Sequence, residues 1–378
     1  MPVSSATIRQ ARAFEFFAKR LWPLWRPFVR RYYSRRCRNC IVSERYSPLD
    51  ETGLCQLCRS PRPQPRLAGR DPLEKDLKEI LLSAQGCGQG RYDALVLFSG
   101  GKDSTFMIHK IMEEYPALRL LSLTLDDTFM SPVAMENVKT IIERLGVEHI
   151  IYRPPPAFME KLFRYTLTHL NEDGGYGTVD FSEGEFLLDT SRTLAASLGI
   201  PLILCGYSRP QVELGLRLNH FIFPHQVHQR DRTHVAGIPL KDIFEKHEIS
   251  YWWQGSRWPE ERIPKLIFPF FVWDYSESQI RKEVVRLGLI SPGADSPLLT
   301  NSKLIPLLGV VDIFHMGYAS FEPEFSRLVR EGKAEKGLWR NIFELLEYSA
   351  RTGHFISDPV NEALARLGLT REEVGIKK

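Results

Sequence analysis

The chain has 378 residues, of which 43% are hydrophobic and 25% charged, with a formal net charge of +4. That length exceeds one ordinary core, so two or three units are expected, and the composition is that of a soluble globular enzyme and not of a disordered or fibrous chain. No stretch reaches the roughly 18 apolar residues of a membrane span, and the N-terminus lacks the apolar core and small residues of a signal peptide, so the expected compartment is the cytoplasm.

Charge is uneven. Residues 1–36 hold nine Lys or Arg against Glu15 alone, a balance of +8, which leaves −4 on the remaining 342 residues. The basic character therefore belongs to an arm. Its stretch FEFFAKRLWPLWRPFVRRYYSRR interleaves Trp22, Trp25, Phe28, Tyr32 and Tyr33 with the cations, while Pro23 and Pro27 argue against one continuous helix. Three readings stand open: a helix packed on the body, an arm lying on anionic lipid, or an arm holding nucleic acid. The second would place the protein peripherally at the inner membrane; the third would make RNA a partner.

Six cysteines in a chain this long do not make a disulfide scaffold. Four of them, Cys37, Cys40, Cys55 and Cys58, form CxxC–x14–CxxC. Two tight turns with this spacing close a tetrahedral Zn–S4 site, and four thiolates leave the metal no open position, so a structural zinc ribbon is expected. An iron–sulfur cluster is the alternative. With the Pro- and Arg-rich linker at 60–70, ribbon and linker span 37–70.

Beyond a short helical stretch the pattern becomes α/β. Strands are expected at Asp93–Phe98, Arg119–Leu125, Glu148–Tyr152 and Pro201–Cys205. Helices are expected at Asp103–Tyr115, after Ser131 with Pro132 at its first position, near Ala157–Leu170 and at Glu185–Leu198. Strands alternating with helices imply a parallel sheet with helices on both faces, and ligands of such sheets bind beyond the carboxyl ends of the strands. SGGKDS, Ser99–Ser104, stands at such an end. Gly100 and Gly101 let the backbone approach an anion, and the following helix offers unpaired N–H groups and its positive dipole end. Lys102 adds a full charge, Ser99 and Ser104 can donate to phosphate oxygens, and Asp103 can hold a Mg²⁺ that bridges phosphates.

This is not the Walker pattern. In its strand–loop–helix context SGGKDS resembles the PP-loop of the ATP pyrophosphatases, which split ATP between its α and β phosphates. The resemblance implies an adenine nucleotide alpha-hydrolase-like fold, Lys102, Asp103 and Ser104 as catalytic residues, and ATP held by Ser99, Gly100, Gly101, Asp126 and Gly206. LTLDD, Leu123–Asp127, stands where relatives contact adenine largely through backbone, and Gly206 turns the loop after the fourth strand. The zinc ribbon upstream narrows the resemblance to N-acetyl sugar amidotransferases of surface-polysaccharide biosynthesis. It covers residues 37–210 well and the remainder loosely.

A member of that family has a substrate oxygen attack the α-phosphorus, and the adenylated oxygen then leaves to a nitrogen or sulfur nucleophile. Relatives often carry cysteine in the segment aligned with GGYGTVDFSEGEF, Gly174–Phe186; this chain has none there, and outside the ribbon only Cys87 and Cys205 remain. The absence leans toward nitrogen transfer to a sugar or other small polar acceptor, with ammonia from a partner glutaminase in a homo-oligomeric assembly. An RNA-modifying enzyme gripping tRNA with its ribbon and arm is the alternative. His220, His225, His228 and His234 are too irregularly spaced for a zinc helix. Trp252, Trp253 and Trp258 are either core or a platform for a sugar or base. The expected units are 1–36, 37–70, a PP-loop domain at 71–275 and a helical region at 276–378. In the last, a helix opens at Ser276 and SPLLTNSKL resembles the segment that closes the ATP site in relatives.

Overall fold

The computed structural model describes residues 13–59, 70–294 and 301–377. The linker from residue 60 to 69 and residues 295–300, which include all of SPLLT, lie outside the described residues. At the centre stands a five-stranded sheet of β1 (Ala94–Leu97), β2 (Leu120–Leu125), β3 (Glu148–Tyr152), β4 (Leu202–Leu204) and β5 (Lys265–Ile267). The order is β3-β2-β1-β4-β5 and every pair is parallel; Leu95 of β1 faces Leu121 on one side and Ile203 on the other. All residues of β1 and β4 are buried. A strand buried on both faces needs apolar residues at every position, which is why these read as unbroken hydrophobic runs.

The covering helices are α1 (Arg70–Ala84), α2 (Lys102–Glu114), α3 (Pro132–Leu145), α4 (Pro156–Thr168) and α5 (Phe181–Leu198). Ser131 caps α3 as expected, its Oγ accepting from the Ala134 N–H at 3.2 Å, and Gly146 ends it at φ +65°. Phe106, Met107, Ile108 and Ile111 of α2 join Leu95, Leu123 and Leu204 in the main core. C-terminal to the sheet come α6 (Glu277–Arg286), α7 (Ile305–His315), α8 (Glu322–Arg330), α9 (Lys336–Thr352) and α10 (Ser357–Leu367). A second core joins α4 and α5 to α7, α9 and α10, while Ile280 and Val284 of α6 belong to the main core and Phe325 of α8 packs with Trp339 and Phe343 of α9. Ser276 opens α6 through a reciprocal capping box with Gln279.

Three features depart from the sequence reading. β5 is a fifth parallel strand, only three residues long, in a segment for which no element was expected. The helix expected from Glu185 starts earlier, as a wide π-helical turn at Tyr176–Asp180 that runs into α5. Trp252 and Trp253 are each 1% exposed and belong to the core, with the Arg192 guanidinium over the Trp253 ring, so they offer no platform to a sugar.

The arm packs on the body. Residues 13–32 are helical, changing from a π-turn at Phe17–Leu21 to a 3-10 turn after Pro27. Ala18 and Trp22 are buried; the Trp22 indole donates to Glu344 of α9 at 3.1 Å, and its ring lies 5.5 Å from Tyr348. Immediately after the arm, Arg36 is buried between Glu322 of α8 and Glu347 of α9, with its Nη1 3.0 Å from Glu322. Two carboxylates on one guanidinium leave a net negative charge inside the protein, and burial pushes Glu322 up to about 7 against the pull of Arg36.

Candidate functional site

Strand order reverses between β1 and β4, so the crevice beyond their carboxyl ends is the ligand position of such a sheet. The loop after β1 lies in it. Gly101 precedes α2 in extended conformation and no side chain caps the helix, which leaves the first-turn N–H groups free for an anion. Gly100 has φ +71°, and a Cβ there would meet the Ala134 carbonyl oxygen at 2.5 Å, so only glycine fits between loop and α3. Asn137 of α3 donates to the Gly100 carbonyl at 3.2 Å and fixes the turn.

The hydroxyls of Ser99 and Ser104 lie 3.2 Å apart, and the Asn301 amide donates to Ser99 at 3.1 Å. Lys102 Nζ is 2.9 Å from Asp103 and 3.9 Å from Glu277 of α6. Burial alone would lower its pKa, but the Asp103 and Glu277 carboxylates outweigh it, so the group stays an ammonium. Gly206, after β4, lies across the crevice: a Cβ there would touch the Ser104 Cα at 3.7 Å.

These residues border a cavity of about 680 Å³ whose wall includes Ser99, Gly101, Asp103, Ser104, Cys205 and Gly206. Gly100 turns toward α3 and Lys102 toward the two carboxylates, and neither forms part of that wall. Asp126, placed by resemblance at the nucleotide, has its carboxylate on Arg153 at 2.9 Å and on the Thr128 N–H at 3.0 Å; its neighbour Asp127 faces the cavity instead.

Other polar residues of the wall were not named individually from the sequence, although three of them lie in the Gly174–Phe186 segment singled out for lacking cysteine. These residues are Tyr176, Asp180, Glu183, Tyr207, Gln211 and Glu324. Glu324 accepts from the Tyr176 hydroxyl at 3.0 Å and from Ser208 at 3.3 Å, and burial lifts it to about 7. Asp180 is pushed up to about 7 by burial and by Asp127; Glu183 is raised well above its ordinary value by burial, then Asp127 and Asp180. Asp127 itself rises to about 6, mainly through burial. Asp180 and Glu183 have neither a hydrogen-bond donor nor a cation as partner among the described residues. Two π-turns, Tyr176–Asp180 and Gln211–Gly215, border this end and widen the helices where the carboxylates emerge.

Cys205 is 2% exposed at the cavity wall, and burial pushes its thiol up to about 12, so it holds its proton at neutral pH. Cys87 is exposed at the end of α1, donating to the Ser83 carbonyl. The four histidines of the 208–262 segment lie off the cavity wall.

Cys37, Cys40, Cys55 and Cys58 converge, with all four sulfurs within 4.8 Å of one another and Cys40 3.7 Å from Cys55. Metal–sulfur bonds of about 2.3 Å in a tetrahedron require a sulfur–sulfur edge of about 3.8 Å, so the spacing fits a single metal ion. Among the described residues no helix is long and apolar enough to cross a membrane.

No protein-family model matches the chain. An uncharacterised protein of Methanocaldococcus jannaschii is 31% identical over 81 residues, 21% of this chain and 28% of that protein, so the match spans little more than a quarter of the relative. Among solved structures, the chain is similar to NMN synthetase from Francisella tularensis, with TM-score 0.37 and 12% identity over 80% of this chain and 97% of that one. The U34-tRNA thiolase NcsA from Methanococcus maripaludis, solved with its 4Fe–4S cluster, gives 0.33 and 14% over 91% and 99%. The NH3-dependent NAD synthetase from Campylobacter jejuni gives 0.28 and 11% over 61% and 93%. All three are enzymes by name, but similarity at these scores says nothing of this chain's own chemistry.

Proposed function

We propose that the chain activates an acceptor oxygen with ATP, forming AMP and pyrophosphate, and then directs a nitrogen nucleophile to the activated centre. One observation carries the reading: the cavity has an anion-binding loop at one end and unpartnered carboxylates at the other, with no ionised thiol between. The N–H groups at the start of α2, with the Ser99 and Ser104 hydroxyls, hold the phosphates. Lys102 supplies positive charge where the pyrophosphate departs. Asp103, its side chain 46% exposed, is placed to hold Mg²⁺, which when bound offsets phosphate charge.

Asp180 and Glu183 suit the nitrogen side. An ammonium or amine would supply the positive partner they lack, and a carboxylate titrating near neutrality can take the proton that the nitrogen loses on attack. A protonated Cys205 is a poor carrier for sulfur. Ammonia would come from a separate glutaminase. Incubating the protein with ATP, Mg²⁺, an ammonium salt and a panel of nucleotide sugars tests this: AMP and pyrophosphate should form only when an acceptor is present. Formation of ADP and phosphate would reject it.

In the ribbon, zinc is the ion we expect, one per chain, holding two turns together without taking part in the reaction. Elemental analysis checks this, and iron with sulfide would overturn it. An RNA-modifying enzyme is the second reading, favoured by the exposed guanidinium groups of the arm; replacing the sugars by tRNA in the same assay decides between them.

A further inference from the structure

The arm has two faces, and packing on α9 accounts for one. Ala18, Trp22 and the inward edge of Trp25 meet Tyr348, and the Asn341 amide of α9 donates to the Ala18 carbonyl at 2.9 Å, so the arm is fastened along its length. The outer face is apolar to a degree that a solvated helix is not. Phe28 is 84% exposed, Leu24 71%, Phe16 59% and Leu21 44%. All four lie on the short stretch from Phe16 to Phe28, which makes it an exposed apolar stripe of the arm.

Cations flank that stripe. Arg20, Arg30, Arg31 and Arg35 are exposed, and no carboxylate pairs with any of them among the described residues. The other described cations of the arm have partners: Lys19 pairs with Glu15, Arg26 with Glu344, and Arg36 is buried. Arg30 and Arg31, just beyond Phe28 in the chain, lie against the rings of Tyr33 and Tyr32, each 4.8 Å from the centroid.

We infer that this face docks the protein on an anionic lipid bilayer. Leucine and phenylalanine enter the boundary between headgroups and acyl chains, while the four guanidinium groups meet the lipid phosphates. A nucleic acid would match the cations but not Leu21 and Leu24, because bases stack on flat rings and phosphates gain nothing from an aliphatic side chain. The geometry also connects docking with the cavity. Phe14 of the arm and Phe355 line it, their rings 6.2 Å apart, and Phe355 is 55% exposed, so the cavity reaches the surface beside the docking face. The inference concerns the surface alone and stands whether or not the ATP reading does.

Co-sedimentation of the full chain with vesicles tests it. Vesicles of mixed phosphatidylglycerol and phosphatidylcholine should carry the protein down at low salt, and vesicles of phosphatidylcholine alone should carry much less. Leu24→Glu with Phe28→Glu, both on exposed side chains, should weaken binding at least about tenfold while circular dichroism stays unchanged. Arg30→Gln with Arg31→Gln should weaken it and flatten its salt dependence. Wild type that ignores both vesicle types overturns the inference, as does unchanged vesicle binding by the Leu24/Phe28 variant. Two other outcomes also overturn it: a lipid-free dimer that only the Leu24/Phe28 variant dissociates, and tRNA binding that only the arginine variant loses, with no vesicle binding by wild type.

Discussion

One part of the cavity wall comes from a single loop, Ser99, Gly101, Asp103 and Ser104, and another from Asp180 and Glu183 of α5 and its leading turn together with Glu324 of α8. The first takes its polarity from backbone N–H groups and a helix dipole; the second takes it from carboxylates that burial holds close to neutrality. Within about 680 Å³ the preferred ligand charge thus reverses. A cavity with one sign of charge would select a nucleotide or an amine. On the proposed reading, opposed signs would hold both at once, as a two-substrate reaction requires.

Removing the charge at the first end should have the largest effect. Lys102→Ala should cut AMP formation about 10²–10³-fold, the scale of losing one preorganised electrostatic group, with thermal stability close to wild type. Measured by AMP release, a variant that keeps most of its rate would show that the loop N–H groups alone hold the phosphates. At the second end, Asp180→Asn should raise the KM for the nitrogen donor about 10–100-fold, as loss of a buried charge partner does, and leave the KM for ATP nearly unchanged. If both constants moved together, the two ends would not be separate sites.

The same residue has a stability signature. Its folded-state pKa of about 7 stands above the ordinary 3.8, so between those values the folded protein holds a proton that the unfolded chain has released. Stability therefore falls as pH rises from 4 to 7, and the loss is complete above 7. Asp180→Asn removes the loss: urea denaturation should find it more stable by roughly 1–3 kcal/mol at pH 8 and unchanged near pH 4. The smallest effect belongs to the residue between the ends. Cys205→Ala should keep most of its rate and cost about 1 kcal/mol, because a buried thiol there serves as packing. A folded but inactive Cys205→Ala would replace the charge-reversal account with thiol chemistry.

What could be read in advance follows the same division. The phosphate loop is contiguous, so its glycines, lysine and serines are visible as one pattern, and the cysteine pairs announce themselves by spacing. Asp180 and Glu183 lie three apart on a helix, which ordinarily signals a solvated face; nothing local says that this face borders a cavity. Glu324 joins them only through tertiary packing, and the Arg36–Glu322–Glu347 cluster likewise joins residues that one sequence cannot pair. β5 escaped because three residues carry too little alternation to stand apart from the apolar FPFF that follows. Asp126 was named for its place after β2, where the expected contact runs through backbone; that its carboxylate turns to Arg153 while Asp127 lines the cavity is decided by tertiary packing.

The buried arginine has a mechanical consequence. Arg36 is the residue before the first cysteine of the metal ribbon, and it grips Glu322 at the first turn of α8. Two residues on, Glu324 of the same turn reaches the Tyr176 hydroxyl at the cavity. The ribbon is thus one arm of a short lever whose other arm is a wall of the reaction chamber. If the four cysteines hold a metal as proposed, removing it would slacken the turn that carries Arg36, and the slack would be felt first at Glu324, so an ion remote from the cavity would still help to set its shape.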